Sequence, residues 1–163
     1  SLPSRGLGDV YKRQVVTTDL KKNYNGNSID FRARKHLKSI GLNYEHGTGH
    51  GVGFYSNVHE GPQAISKNNN VRIQEGMIIS NEPGYYKKGS FGIRIENLIY
   101  VKKFKKNLYF QNLTLVPIDK NLLDKEQLNE DEKNYLFKYH LNIYSKISKF
   151  LNYKEKKWLA SFI

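Results

Sequence analysis

The sequence predicts an α+β fold, a mainly antiparallel sheet backed by helices. Three observations carry this. Side chains alternate with period two through residues 46–54 and 93–101, a helical apolar period occupies residues 27–40, and after Pro117 the chain changes to a second helical pattern.

Taken in order, Ser1 to Gln14 has no apolar period and no signal-peptide core, and it resembles translated adaptor sequence. It is expected to be a non-native leader, outside the fold. Val15 to Asn23 reads as the end of a helix. Asn27 is the expected N-cap of a helix through Ile40, with Ile29, Ala33, Leu37 and Ile40 on one face and Gly41 as the stop.

The stretch His46-Gly-Thr-Gly-His50 then raises a choice. Two histidines four apart could share a helix face, but Gly47, Gly49, Gly51 and Gly53 would each cost about 1 kcal/mol in a helix interior. Extended, the segment puts all four glycines on one face and His46, Thr48, His50, Val52 and Phe54 on the other. At about 3.3 Å per residue the two imidazoles stand roughly 13 Å apart, too far to hold one ion together. One is expected to bind metal and the other substrate. The bare glycine face should admit a close backbone neighbour.

Met77 to Ser80 is an apolar β-type run that delivers Glu82 at its end, where Pro83-Gly84 turns the chain. Ile93 to Val101 alternates as a strand, with Arg94 and Glu96 on one face. A hairpin is expected from Ile93 to Val116, with Lys102-Lys103-Phe-Lys105-Lys106 at its solvated tip. Asn129 and Glu132 form an N-capping arrangement. Leu136, His140, Ile143, Ile147 and Phe150 then make a helical apolar stripe.

One imidazole with two carboxylates suits Mn, Fe, Co or Zn better than Ca or Cu(I). No cysteine is present, so no thiolate joins them, and the composition agrees with a reducing compartment. No apolar run approaches a membrane span. The net charge of +12 points toward nucleic acid, but the lysines are spread along the chain, and a solvated surface is the better reading. His36 reads as an exposed helix residue and His140 as a packing or capping residue. Tyr85 and Tyr86 are either pocket walls or sheet-packing rings.

The strings His46 to Gly53, Val58-His-Glu-Gly-Pro62, Glu75 to Tyr86 and Phe91 to Asn97 resemble aminopeptidase P, the Xaa-Pro aminopeptidase branch of the pita-bread metallopeptidase family. The resemblance runs from about Val15 to the C-terminus. It implies the C-terminal half of a pita-bread fold with a helical C-terminal extension. Residues 1–14 would be leader, 15–116 part of the catalytic domain and 117–163 the extension. It also implies a cytoplasmic dinuclear aminopeptidase that releases an N-terminal residue preceding proline by metal-activated water, with manganese, or alternatively zinc or cobalt, as its two ions.

By that resemblance His50 and Glu82 ligate one ion, Glu96 bridges both, and His46 lines the proline pocket. His59 lies at the scissile carbonyl, and Arg94 supports the bridging carboxylate and the substrate. The family's two aspartate ligands and a further histidine lie upstream of these motifs. Asp9, Asp19 and Asp30 fall in no matching motif, and Asp19 and Asp30 read as helical. The site is therefore expected to be incomplete and the chain alone inactive, a C-terminal portion of a longer homodimeric enzyme with no membrane or nucleic-acid partner. The alternative reading is a non-catalytic pita-bread module binding peptide, protein or nucleic acid.

Overall fold

The computed structural model describes residues 7–22, 24–55 and 57–163, which form two compact units, Leu7–Thr114 and Leu115–Ile163. The first contains helices α1 (Leu7–Val16) and α2 (Gly26–Ser39). Its strands are β1 (Gly49–His50), β2 (Ala64–Ile65), β3 (Ile78–Asn81), β4 (Gly84–Lys87), β5 (Phe91–Arg94), β6 (Asn97–Phe104) and β7 (Asn107–Asn112). The second contains α3 (Glu130–Ile147) and α4 (Tyr153–Ala160).

Every strand pairing is antiparallel: β1 with β2, β3 with β6, β6 with β7, and β4 with β5. A single bridge between Gly51 and Ile79 joins the end of β1 to β3. Val15 of α1 and Ile29 and Ala33 of α2 pack against Ile65, Ile79, Ile99, Val101 and Phe110 of the sheets, all buried. Burying each large apolar side chain contributes about 1.5–3 kcal/mol, which seats both helices against the strands of these two sheets.

Several expectations shift. Residues 1–6 of the expected leader lie outside the described residues, but α1 begins at Leu7, within it. Its last turns belong to the fold, since the Lys12 carbonyl accepts from Asn81 and the Gln14 carbonyl from Arg32. The helix ends at Val16, so Asp19 is not helical, and its carboxylate caps the local turn by accepting from the Lys21 amide at 3.0 Å.

The N-cap of α2 is Asn25, which forms a capping box with Ser28. Asn27 is diverted, because its side-chain amide donates to the Lys67 carbonyl and its backbone amide to the Asn69 carbonyl. Gly41, at φ +74°, stops the helix as expected, but Ile40 is half exposed at the cap.

Regular pairing in the glycine-rich segment covers only Gly49 and His50, and Phe54 lies in an exposed turn. The expected strand from Ile93 to Val101 is two strands, β5 and β6, interrupted at Ile95 and Glu96. The lysine cluster is a hairpin tip as expected, with Lys105 and Lys106 as a two-residue turn between β6 and β7.

In the second unit, Asn129 and Glu132 form the expected capping box on α3. Leu136, His140 and Ile143 are buried, whereas Phe150 is 74% exposed beyond the helix end. The His140 imidazole accepts from the Ile118 amide at 3.1 Å, a structural role. Helix α4 follows a capping box of Asn152 with Glu155 that the sequence reading passed over.

Candidate metal centre

The strand interruption builds the site. Asn81 pairs with Asn97 at the end of β3–β6, and Gly84 pairs with Arg94 at the start of β4–β5. Counting on from either ladder sets Glu82 opposite Glu96, both in the gap. Pro83 explains the gap, since it has no N–H to offer a ladder. The Glu82 amide turns to the other side and donates to the Thr48 carbonyl at 2.9 Å. Two carboxylates at opposed positions repel each other, an arrangement that costs stability unless a cation intervenes.

His50 comes to the same place from β1. Its Nδ1 lies 3.0 Å from the Gly51 carbonyl oxygen, which can only accept, so Nδ1 donates there and Nε2 is the ring nitrogen turned toward the carboxylates. Nε2 lies 3.3 Å from Glu82 Oε1. Ligand atoms of His50, Glu82 and Glu96 all lie within 4.8 Å of one another, the one such group among the described residues. Three metal-ligating side chains converging on one point, with the imidazole oriented by a backbone carbonyl, fit a divalent cation. Arg94 contributes charge at the edge, with Nη1 3.6 Å from Glu82 and Nη2 3.6 Å from Glu96.

The glycine face works as expected at two of its four positions. A Cβ on Gly49 would lie 1.9 Å from the Ser80 carbonyl oxygen, and one on Gly51 would lie 2.0 Å from the Glu60 carbonyl oxygen. Only glycine lets β1 approach β3 this closely. Gly47 has ordinary room, and a Cβ on Gly53 would meet side chains, the Glu60 carboxylate at 2.4 Å and the Asn57 Cβ at 3.0 Å, rather than backbone.

His46, His50, His59, Glu82 and Arg94 line one open cavity of about 360 Å³. The exposed His59 ring stands 4.0 Å from that of His50. His46 makes no part of the ligand group. Its Nδ1 donates to the Gly47 carbonyl, and its Nε2 accepts from the Tyr86 hydroxyl at 2.8 Å. Tyr86 is therefore at the cavity rim, while Tyr85 packs in a core with Leu37 and Tyr44.

Sequence reasoning missed the residues that hold this loop in place. Arg34 pairs with Asp30 at 2.8 Å and donates to the carbonyls of Tyr44 and His46, both at 2.6 Å. Its guanidinium stacks 3.9 Å from the Tyr44 ring centroid. The Asp30–Arg34 spacing of four on a helix was readable as a pair. Its burial and its reach to the histidine loop were not. Burial also pushes the Tyr44 hydroxyl up to about 12.

The family model of metallopeptidase family M24 matches residues 12–103, and that of the family's C-terminal region matches residues 106–161. The chain belongs to metallopeptidase family M24. Its α+β fold is that of the family's pita-bread structures. Xaa-Pro aminopeptidase 1 of Dictyostelium discoideum is 47% identical over 152 residues, covering 85% of this chain and 24% of that protein. The crystal structure of an X-prolyl aminopeptidase from Caenorhabditis elegans, described as a cytosolic enzyme with a di-nuclear active site, superposes with TM-score 0.86 and 35% identity. It covers 97% of this chain and 28% of that one. The prolidase of Pyrococcus furiosus matches with TM-score 0.56 and 28% identity over 66% of this chain and 30% of its own. This M24 chain spans about a quarter of the length of the curated relatives it matches. Among the described residues no helix is long and apolar enough to cross a membrane.

Proposed function

We propose that this chain supplies three ligands of the dinuclear centre of a metallo-aminopeptidase that releases an N-terminal residue preceding proline. The observation that carries the reading is the opposed pair Glu82 and Glu96 with His50 Nε2 beside them. The names of the relatives supply the substrate class.

In this reading His50 and Glu82 would hold one divalent ion, with Glu96 the carboxylate they would share with a second. The ions are manganese, with zinc or cobalt as alternatives, and the remaining carboxylates lie in the part of the relatives' length that this chain does not span. When bound, such ions lower the pKa of a water and polarise the scissile carbonyl. The protein's own groups do the rest. His59, on the open side of the cavity, donates to the scissile carbonyl oxygen as charge develops there. Arg94 pairs with both carboxylates at the edge of the cavity. His46, its tautomer set by Gly47 and Tyr86, lines the pocket for the proline ring.

Residues 15–116 are proposed as part of the catalytic domain, with the end of α1 at Lys12 and Gln14 joined to it, and 117–163 as an extension. The exposed Phe150, Tyr153 and Trp158 support pairing of the extension in a homodimer. A cytosolic relative supports a cytoplasmic setting.

The test joins this chain to the missing length of a relative and assays a Xaa-Pro peptide. Metal-dependent release of the first residue is expected, with Glu82→Gln nearly inactive. Unchanged turnover in the Glu82→Gln protein would sink the assignment.

A further inference from the structure

We propose that Ser80 is a positioning residue of this centre, its one hydroxyl coupling the backbone of His50 to the carboxylate of Glu82 so that both ligands are held in register for a divalent cation. The inference rests on the metal-centre reading above and names a residue outside the ligand set.

Ser80 is completely buried on β3, a polar side chain that directly follows the apolar run from Met77 to Ile79. Its Oγ accepts from the His50 backbone amide at 2.9 Å and donates to Glu82 Oε1 at 2.8 Å. A serine hydroxyl has a single proton. Because Glu82 can only accept, that proton must point to the carboxylate, and the His50 amide must occupy an Oγ lone pair. The direction of both bonds is therefore determined by chemistry rather than chosen by a free rotor.

The geometry closes a ring. From the His50 amide the path runs through Ser80 Oγ to Glu82 Oε1, and that same oxygen faces His50 Nε2 across 3.3 Å. With one Oε1 lone pair occupied by Ser80, rotation of the carboxylate away from the imidazole would leave the buried Ser80 hydroxyl without its acceptor, which is unfavourable. The approach depends on Gly49, since a side chain there would collide with the Ser80 carbonyl oxygen. Partners that orient metal ligands are typically worth about 10–100-fold in metal affinity.

The experiment is Mn2+ titration of this chain at millimolar concentrations, following loss of the free-ion electron paramagnetic resonance signal, with apo thermal melts of each variant. Four variants are compared: Ser80→Ala, Ser80→Val, Ser80→Thr and His50→Ala. Thr and Val share a shape and differ in the hydroxyl alone. The expected result is an affinity loss of about 10-fold or more in Ser80→Ala and Ser80→Val, with Ser80→Thr close to the unmutated chain. Unchanged affinity in Ser80→Ala, or equal losses in Thr and Val, overturns the role of Ser80 while the loss in His50→Ala leaves the metal centre standing. An unmutated chain that binds no Mn2+, or binds it equally after His50→Ala, overturns both. If Ser80→Val and Ser80→Thr do not fold, Ser80→Ala alone decides.

Discussion

Thr48 Oγ1 donates to Asp30 Oδ1 at 2.5 Å, and this bond fastens the loop bearing His46 and His50 to helix α2. Because the Thr48 proton is committed to the carboxylate, the Tyr44 hydroxyl must donate to Thr48, at 2.5 Å. All four members of the network, Asp30, Arg34, Tyr44 and Thr48, are buried. The site is thus aimed from behind by a polar cluster that touches no ligand atom itself.

Thr48→Val keeps the volume but leaves an Asp30 oxygen unmet in the interior. The expected loss is about 1–3 kcal/mol of stability, read as a lower urea midpoint, with Thr48→Ser retaining most of it. A Thr48→Val protein as stable as the original would remove the network from this account.

Tyr44 makes stability fall at alkaline pH. Its hydroxyl is raised from 10.0 to about 12 by burial. Between these values the unfolded chain has released the proton and the folded chain retains it, so unfolding releases a proton and becomes easier as pH rises. Full stability from this group is present below about pH 10, and a loss of about 2 kcal/mol accumulates toward pH 12. Urea unfolding at pH 9 and pH 11 should show the drop, and Tyr44→Phe should flatten it.

Metal binding should appear as stabilisation. A ligand at a hundred times its dissociation constant adds about 2.7 kcal/mol, so Mn2+ is expected to raise the melting temperature of the unmutated chain. Glu96→Gln should lose that response. Without metal it should be at least as stable as the original, because it relieves an opposed pair of like charges. A strong Mn2+ response surviving in Glu96→Gln would place the ion elsewhere.

Lys105 adopts φ +54° at the first position of the β6–β7 turn. A two-residue hairpin turn with positive φ there favours glycine. Lys105→Gly should therefore raise stability by up to about 1 kcal/mol, measured by thermal melting, with no change in Mn2+ binding. Destabilisation would mean that the lysine side chain makes contacts outweighing its backbone conformation.

Local chemistry was legible in the sequence because it is written in short strings. Donor types, the strand that delivers Glu82, the lysine hairpin tip and the Asn129–Glu132 cap each depend on residues a few positions apart, where period and capping rules apply directly. The same rules erred wherever a distant partner competed. Lys67 and Asn69 drew Asn27 away from the cap, so Asn25 took its place. Pro83 broke a ladder, and with it a partner strand that alternation alone made continuous.

Convergence was decided by tertiary structure. Glu82 meets Glu96 because two ladders share one register across a gap, and His50 meets both because Gly49 lets β1 lie against β3. The sequence by itself determined which side chains could bind a metal, since that is a property of their atoms. Which of them would meet, and that Ser80, Thr48 and Asp30 would hold them, was set by strand register and by buried donors seeking acceptors far along the chain.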